Sequence, residues 1–208
     1  MQYLAIDTTT QEIKLATYNT ENKQTFQLIE FIGRKQSEQL HVKIKELLKQ
    51  AKVKIKDLNM IIVNLGPGSY TSLRLGIATA KGLALPHNIN VIGVNSFDLI
   101  QDLYLKDANN EAIILENTES QVYLQANSKK MVIAPEELKD NLNAGQNIYG
   151  SGISMYKDFL QEYNLIENSG KIDPIEIINY AIKHNLIETH LDPLYLKPLT
   201  YKKYEYKL

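Results

Sequence analysis

The residues best suited to chemistry gather at the ends of short apolar runs. Asp7 closes the run Gln2 to Ile6 and is followed by Thr8, Thr9 and Thr10. A carboxylate with neighbouring hydroxyls offers hard oxygen ligands of the kind Mg²⁺ takes, although the same Asp-Thr-Thr run also makes a stable turn. Gly66, Pro67, Gly68, Ser69, Tyr70 and Thr71 follow the apolar run Ile61 to Leu65 and precede a helical pattern. Backbone N–H groups at such a helix start attract anions, yet a tight strand-to-helix corner needs glycine for steric reasons alone. Asp7, Thr8, Gly66, Gly68 and Ser69 are therefore candidate ligand or loop residues, with both readings open. Gly150, Ser151 and Gly152 form a third corner with the same two readings. No GxxxxGK[ST] pattern is present.

Other chemistries find less support. The chain has no cysteine and only His41, His87, His184 and His190. No two of these form HExxH or an i, i+4 pair that would set two imidazoles on one metal. Ser37 and Glu38 are adjacent, and adjacent helical positions point away from each other; capping and the positive helix start account for them. No catalytic residue and no metal site is assigned. Lys49, Lys52, Lys54 and Lys56, and the tail with Lys202, Lys203 and Lys207 among Tyr201, Tyr204 and Tyr206, could face a polyanion or be ordinary solvated ends.

The 208 residues carry 23 Lys plus Arg against 24 Asp plus Glu, so no global positive field gathers nucleic acid. A hydrophobic content of 44% supplies a real core. The start, MQYLAID, lacks a basic leader, and no apolar run approaches about 20 residues; a cytoplasmic location without membrane contact is expected.

The elements that must position these residues follow from periodicity. Gln2 to Ile6, Glu12 to Tyr18 and Thr25 to Phe31 read as three antiparallel strands. A helix capped by Ser37 reaches about Lys52, and strand Ile61 to Leu65, helix Thr71 to Leu85, strand Asn90 to Val94 and helix Ser96 to Tyr104 follow. Asp107 to Glu111 is polar and turn-rich and divides an N-terminal lobe, 1–106, from a smaller lobe, 107–208. In the second lobe Ala112 to Leu115, Val122 to Ala126, Met131 to Ile133 and Ile148 to Tyr149 read as strands. Helices are expected from Pro135 to Leu142, Gly152 to Glu162 and Pro174 to His184.

The helix after Gly68 is apolar nearly all round. Leu73, Gly76, Ile77, Ala80, Leu83 and Ala84 share one side, and Leu75, Ala78, Gly82 and Leu85 lie roughly opposite. A helix of this kind is buried on both sides, one against the sheet and the other against a further domain or another chain. The small residues allow close approach, so Leu73, Gly76, Ile77, Ala80 and Ala84, with Leu40, Ile44, Leu47 and Leu48 of the preceding helix, are expected at a protein interface.

The stretch GPGSYTSLRLGIATAKGLAL resembles the GPGSFTGLR-type segment of the bacterial TsaB (YeaZ) family. Tyr70 stands where that family usually has Phe, Ser72 where it usually has Gly, and Gln36 where its members often have His. LAIDTTT, KQSEQL, VIGVNSFDLI and PLYLKP are similar as well, and together the matches span most of the chain. The resemblance implies an α/β fold of two RNase H-like/actin-like ATPase (ASKHA) lobes with repeated βββαβα topology. It also implies a noncatalytic subunit of the machinery that makes threonylcarbamoyladenosine on tRNA. Its partners would be a TsaD-like catalytic subunit, a TsaE-like ATPase and, for the isolated chain, a second copy in a homodimer; tRNA would be met indirectly. In that fold Asp7 to Thr10 would face phosphate and magnesium. The matching turn in the second half, Asn117 to Ser120, lacks phosphate-loop glycines, so no cofactor is expected on the chain alone, with ATP and magnesium left to a composite site in the complex. The alternatives are a nucleotide-dependent small-molecule kinase of the actin-like class and a metallopeptidase-like protein.

Overall fold

The computed structural model describes residues 1–105, 110–187 and 189–196. Most of the expected boundary turn, 107–109, and the tail with Lys202, Lys203 and Lys207 lie outside the described residues. The first half folds as β1 (Gln2–Asp7), β2 (Glu12–Asn19), β3 (Thr25–Phe31), α1 (Gln36–Ala51), β4 (Met60–Asn64), α2 (Tyr70–Ala84), β5 (Asn90–Val94) and α3 (Ser96–Tyr104). The second half folds as β6 (Glu111–Thr118), β7 (Gln121–Ala126), β8 (Lys129–Ile133), α4 (Leu138–Asn141), β9 (Asn147–Tyr149), β10 (Asn164–Leu165) and α5 (Pro174–Lys183).

Each half builds one mixed sheet of the same design. The orders are β3-β2-β1-β4-β5 and β10-β9-β6-β7-β8. In both, the first strand of the half is central, pairing antiparallel with the next strand and parallel with the fourth. The chain is thus an α/β protein of two lobes whose sheets share one topology; the expected βββαβα order is met in the first half, whereas in the second β10 follows β9 with no α-helix between them.

Alternation along the central strands splits the interior into layers, because successive side chains point to opposite faces. Leu4 and Ile6 of β1 and Ile61 and Val63 of β4 join α1 and α2 in one core. Tyr3, Ala5, Met60 and Ile62 face the other way and meet α3 and α5. That second core also takes in Ile113, Leu115, Tyr123 and Tyr149, so it joins the two sheets. α5, last in sequence among the described helices, returns to cover the first sheet: the Ile175 N–H donates to Gln27 Oε1 at 3.1 Å. Lys183 and His184 both bond Asp102 of α3 at 2.8 Å. Burial alone would raise the Asp102 carboxyl, but these two partners outweigh it and hold it below the usual carboxylate value.

Several expectations are corrected. α1 begins before Ser37, which therefore lies inside the first turn and is not its cap. No α-helix forms from Gly152 to Glu162; two short 3₁₀ turns, Ser151–Ile153 and Lys157–Phe159, take its place. Tertiary contact overrides helical periodicity there, since the fully buried Tyr156 reaches across to the β6–β7 turn. The expected helix to Leu142 is a 3₁₀ turn followed by the four-residue α4.

The most consequential correction concerns α2. Leu40, Ile44, Leu47, Leu48, Leu73, Gly76, Ile77, Ala80 and Ala84 are all buried within the chain. All but Leu73 and Gly76 belong to the core between α1, α2 and the first sheet. A Cβ on Gly76 would lie 2.6 Å from Thr8 Oγ1, so the chain's own turn after β1 calls for glycine there. Side chains that keep at most 7% of their surface, as Ile77 does, have little left to offer a partner, and within the chain the expected interface residues serve as core residues. Replacing Ala80, which is 0% exposed, with Arg is therefore expected to cost on the order of 3 to 5 kcal/mol of stability; denaturant unfolding followed by circular dichroism would measure it.

Candidate functional site

A cleft of about 500 Å³ opens between the two lobes. Its walls are the β1–β2 turn (Thr9, Thr10), the approach to α1 (Arg34, Gln36), the start of α2 (Ser69, Thr71, Ser72) and the β6–β7 turn (Glu116, Asn117, Thr118), with Tyr123 of β7. A second recess of about 400 Å³ passes Asp7 and reaches Ser96, Ser151 and Lys171. Of the residues named from sequence, Gly68 and Ser69 line the cleft and Asp7 lines the second recess, whereas Thr8 and Gly66 are buried and line neither.

Asp7 is 3% exposed. Its Oδ1 accepts from the Thr9 N–H at 2.8 Å and the Thr9 hydroxyl at 2.7 Å, and its Oδ2 accepts from Asn64 Nδ2 at 3.1 Å. Asn64 also donates to Ser96 Oγ at 3.0 Å and accepts from the Gly66 N–H at 3.1 Å. Thr8 Oγ1 donates to the Ser72 carbonyl at 2.7 Å. Gly66 has φ +110°, a conformation open to glycine, and a Cβ on Gly68 would meet the Thr9 carbonyl at 2.5 Å.

Gln36 ties these pieces together. Its Nε2 donates to the Thr10 carbonyl at 2.7 Å and to the Glu12 carbonyl at 3.0 Å, and its Oε1 accepts from Ser72 Oγ at 2.6 Å. Ser69 Oγ in turn donates to Ser72 Oγ at 2.6 Å and caps α2 by accepting the Ser72 N–H at 3.1 Å. One relay of polar groups thus runs from the α2 cap through α1 to the β1–β2 turn.

The facing turn of the second lobe is equally committed. The Glu116 N–H donates to Ser151 Oγ at 3.2 Å and the Asn117 N–H to Tyr156 Oη at 3.1 Å. The Tyr156 hydroxyl donates toward the Gln121 carbonyl at 2.6 Å, with that of Thr118 at 2.9 Å. Gly150 and Gly152 serve backbone approach: a Cβ at Gly150 would sit 2.1 Å from the Ile114 carbonyl.

His41 and His87 are exposed and His184 is spent on Asp102. Among the described residues no group of three His, Cys, Asp or Glu side chains could hold a metal, and no helix is long and apolar enough to cross a membrane.

The outer side of α2 differs from the cleft. Ala78, Lys81, Gly82 and Leu85 are exposed, Leu85 to 83%, and nothing lies within 4 Å of a Cβ built on Gly82. At the helix start the Arg74 guanidinium lies 3.7 Å over the Tyr70 ring and its Nε donates to Tyr195 Oη at 2.9 Å. Tyr70 and Tyr195 stack at 4.8 Å, and the Leu194 N–H bonds the Leu65 carbonyl at 2.8 Å. The C-terminal segment is thereby strapped beside α2. Sequence reasoning did not find Gln36, Ser72, Ser151, Tyr156 or Tyr195 as site residues. The usable signal was the joint departure at positions 36 and 72, since an amide and a hydroxyl there complete each other.

The family model described as "TsaD: tRNA N6-adenosine threonylcarbamoyltransferase" matches residues 30–157. The chain is 24% identical to the tRNA threonylcarbamoyladenosine biosynthesis protein TsaB of Escherichia coli (strain K12), over 95% of each chain. It is 30% identical to the TsaB of Buchnera aphidicola subsp. Schizaphis graminum (strain Sg) over 58% of this chain and 57% of that one. Among solved structures, YeaZ from Pseudomonas aeruginosa superposes with a TM-score of 0.67 at 19% identity, covering 89% of this chain and 94% of that one; at that identity the likeness establishes the fold.

The Gln36 relay carries its own test. Gln36→Leu would leave the Thr10 and Glu12 carbonyls and the Ser72 hydroxyl without their partner, for an expected loss of about 1 to 3 kcal/mol. Urea unfolding of the variant would measure it, and an unchanged midpoint would show that water replaces the amide at no cost.

Proposed function

We propose, from a chain that belongs to the TsaD family of that model and within it to the TsaB/YeaZ group of tRNA threonylcarbamoyladenosine biosynthesis proteins, that this protein acts as a noncatalytic subunit. Its role is to bind and support a TsaD-like transferase, with a TsaE-like ATPase as the further member of the assembly and tRNA met through the complex. The carrying observation is the contrast between the two sides of α2: the inner side is consumed by the core, while the outer side presents Ala78, Gly82 and Leu85 uncovered.

Small residues on that outer side support docking of another helix, because helices settle about 8 to 10 Å apart according to the side chains between them. Val42 of α1, 46% exposed, adds apolar surface on the neighbouring helix. A second copy of the chain would use the same face when the transferase is absent, so homodimer and heterodimer would compete.

The cleft does not fit Mg-ATP on this chain alone. Anion binding by a turn depends on unengaged backbone N–H groups, and those of Thr9, Glu116 and Asn117 are already bonded within the chain. Asp7 is engaged through both oxygens. In this reading the chain supplies shape and surface to the transfer reaction and no reacting group. ATP and magnesium belong to a composite site completed by a partner.

The interface reading is tested by Ala78→Arg. With the transferase subunit of the same organism, this variant should lose association by on the order of 2 kcal/mol, about 30-fold in affinity, while its melting curve stays that of the parent. Sedimentation velocity on the mixture reads the first and circular dichroism the second. A folded variant that keeps its partner would place the interface elsewhere.

A further inference from the structure

Among the α-helices described, α2 alone carries no Asp or Glu, in a chain whose acidic residues outnumber its basic ones, 24 to 23. Its exposed residues Tyr70, Arg74, Ala78, Lys81 and Leu85 are spaced i, i+4, i+8, i+11 and i+15, which sets them in one stripe along the helix. Leu85, the C-cap, keeps helical backbone at φ −55° and ψ −48°, so the stripe runs unbroken to its end. Arg74 and Lys81 stand two turns apart, roughly 10 Å along the axis. Lys14, Lys43, Lys130 and Lys183 are paired with carboxylates; among the described residues Arg74 and Lys81 are not.

Arg74 is held in place before any partner arrives. Its guanidinium lies over the Tyr70 ring, and the Nε bond to Tyr195 uses one of the five donors that the group carries. Stack and hydrogen bond together fix the plane of the fork, so little side-chain freedom is left to lose on binding, and a planar fork matches a carboxylate through two parallel bonds. Arginine and tyrosine are also the residues on which binding energy concentrates at interfaces.

We propose that this stripe recognises an acidic helix: the transferase subunit presents two carboxylates two turns apart, one to Arg74 and one to Lys81, while Ala78 and Leu85 take the apolar contact. The inference rests on the docking reading given above and adds the chemistry of the partner's surface. Charge complementarity singles out this occupant. A second copy placed on the stripe by a two-fold axis would set these cations against the same cations, with no carboxylate on either α2 to offset them, and like charges across an interface are unfavourable. A second copy is therefore the weaker occupant, and the transferase displaces it.

Titration calorimetry with the transferase subunit of the same organism, at about 50 and about 300 mM salt, tests this on the full chain. The parent's affinity should fall with salt, because screening shortens the reach of exposed charges. Arg74→Gln/Lys81→Gln should bind about 10-fold more weakly at the lower salt and lose most of the salt response. Gly82→Trp, a bulky change without charge, locates the face independently and should abolish binding while circular dichroism melting stays that of the parent. Carbodiimide coupling of the unaltered pair, which depends on no variant, should join the Lys81 amine to an Asp or Glu of the transferase, read by mass spectrometry. A folded Gly82→Trp chain that keeps its partner would overturn the docking reading and this proposal with it. Loss of binding in Gly82→Trp beside an unchanged affinity and salt response in the double variant would overturn the acidic-helix proposal alone. So would the absence of any Lys81 crosslink, or Lys81 crosslinks confined to a second copy of this chain.

Discussion

The Gln36 side chain fixes the cleft side of the first lobe, because a buried amide must satisfy both of its N–H groups and its carbonyl at once. Here it does so with the Thr10 and Glu12 carbonyls and the Ser72 hydroxyl. Three segments that share no secondary structure are thereby held in one register: the β1–β2 turn, the start of α1 and the start of α2. The Asp7–Asn64–Ser96 set continues the same logic beneath them. These polar groups spend hydrogen bonds on the architecture of the lobe.

That expenditure divides the labour of α2. Gly76, packed on Thr8, keeps the helix close to β1, and Ile77, Ala80 and Ala84 fill the core. A helix held so firmly on one side presents its other side as a preformed surface, which would lower the ordering cost of the docking proposed for it. The Arg74, Tyr70 and Tyr195 stack sits at the end of that surface and ties the C-terminal segment to it. Rigid scaffold and open face are two consequences of the same packing.

Much of the fold was legible because its signals are local. Alternation gave the three-stranded start, and β3, β5 and α3 lie where periodicity put them. The two apolar faces of α2 were also readable, but which one meets the sheet was not. Gly76, Ala80 and Ala84 suit a partner's backbone and the chain's own strand equally well, and only the position of Thr8, far away in sequence, decides between them. The Gly152 to Glu162 stretch misled for a related reason: its helical spacing yields to Tyr156, whose hydroxyl serves a turn 35 residues away. The site was half visible. Asp7 and the Gly66 to Ser69 corner announced themselves by residue type, whereas Gln36, Ser72 and Ser151 are ordinary polar residues that acquire meaning from their partners.

The central claim is that the cleft is committed internally and that the work of the chain passes through the outer side of α2. Amide hydrogen exchange of the protein alone, with Mg-ATP, and with a transferase subunit of the same family tests it most directly. The account predicts that Mg-ATP leaves the exchange of Thr9, Glu116 and Asn117 unchanged, and that the transferase slows exchange along α1 and α2 only. Strong protection of the two cleft turns by Mg-ATP on the isolated chain, or a transferase footprint that misses α2, would contradict it.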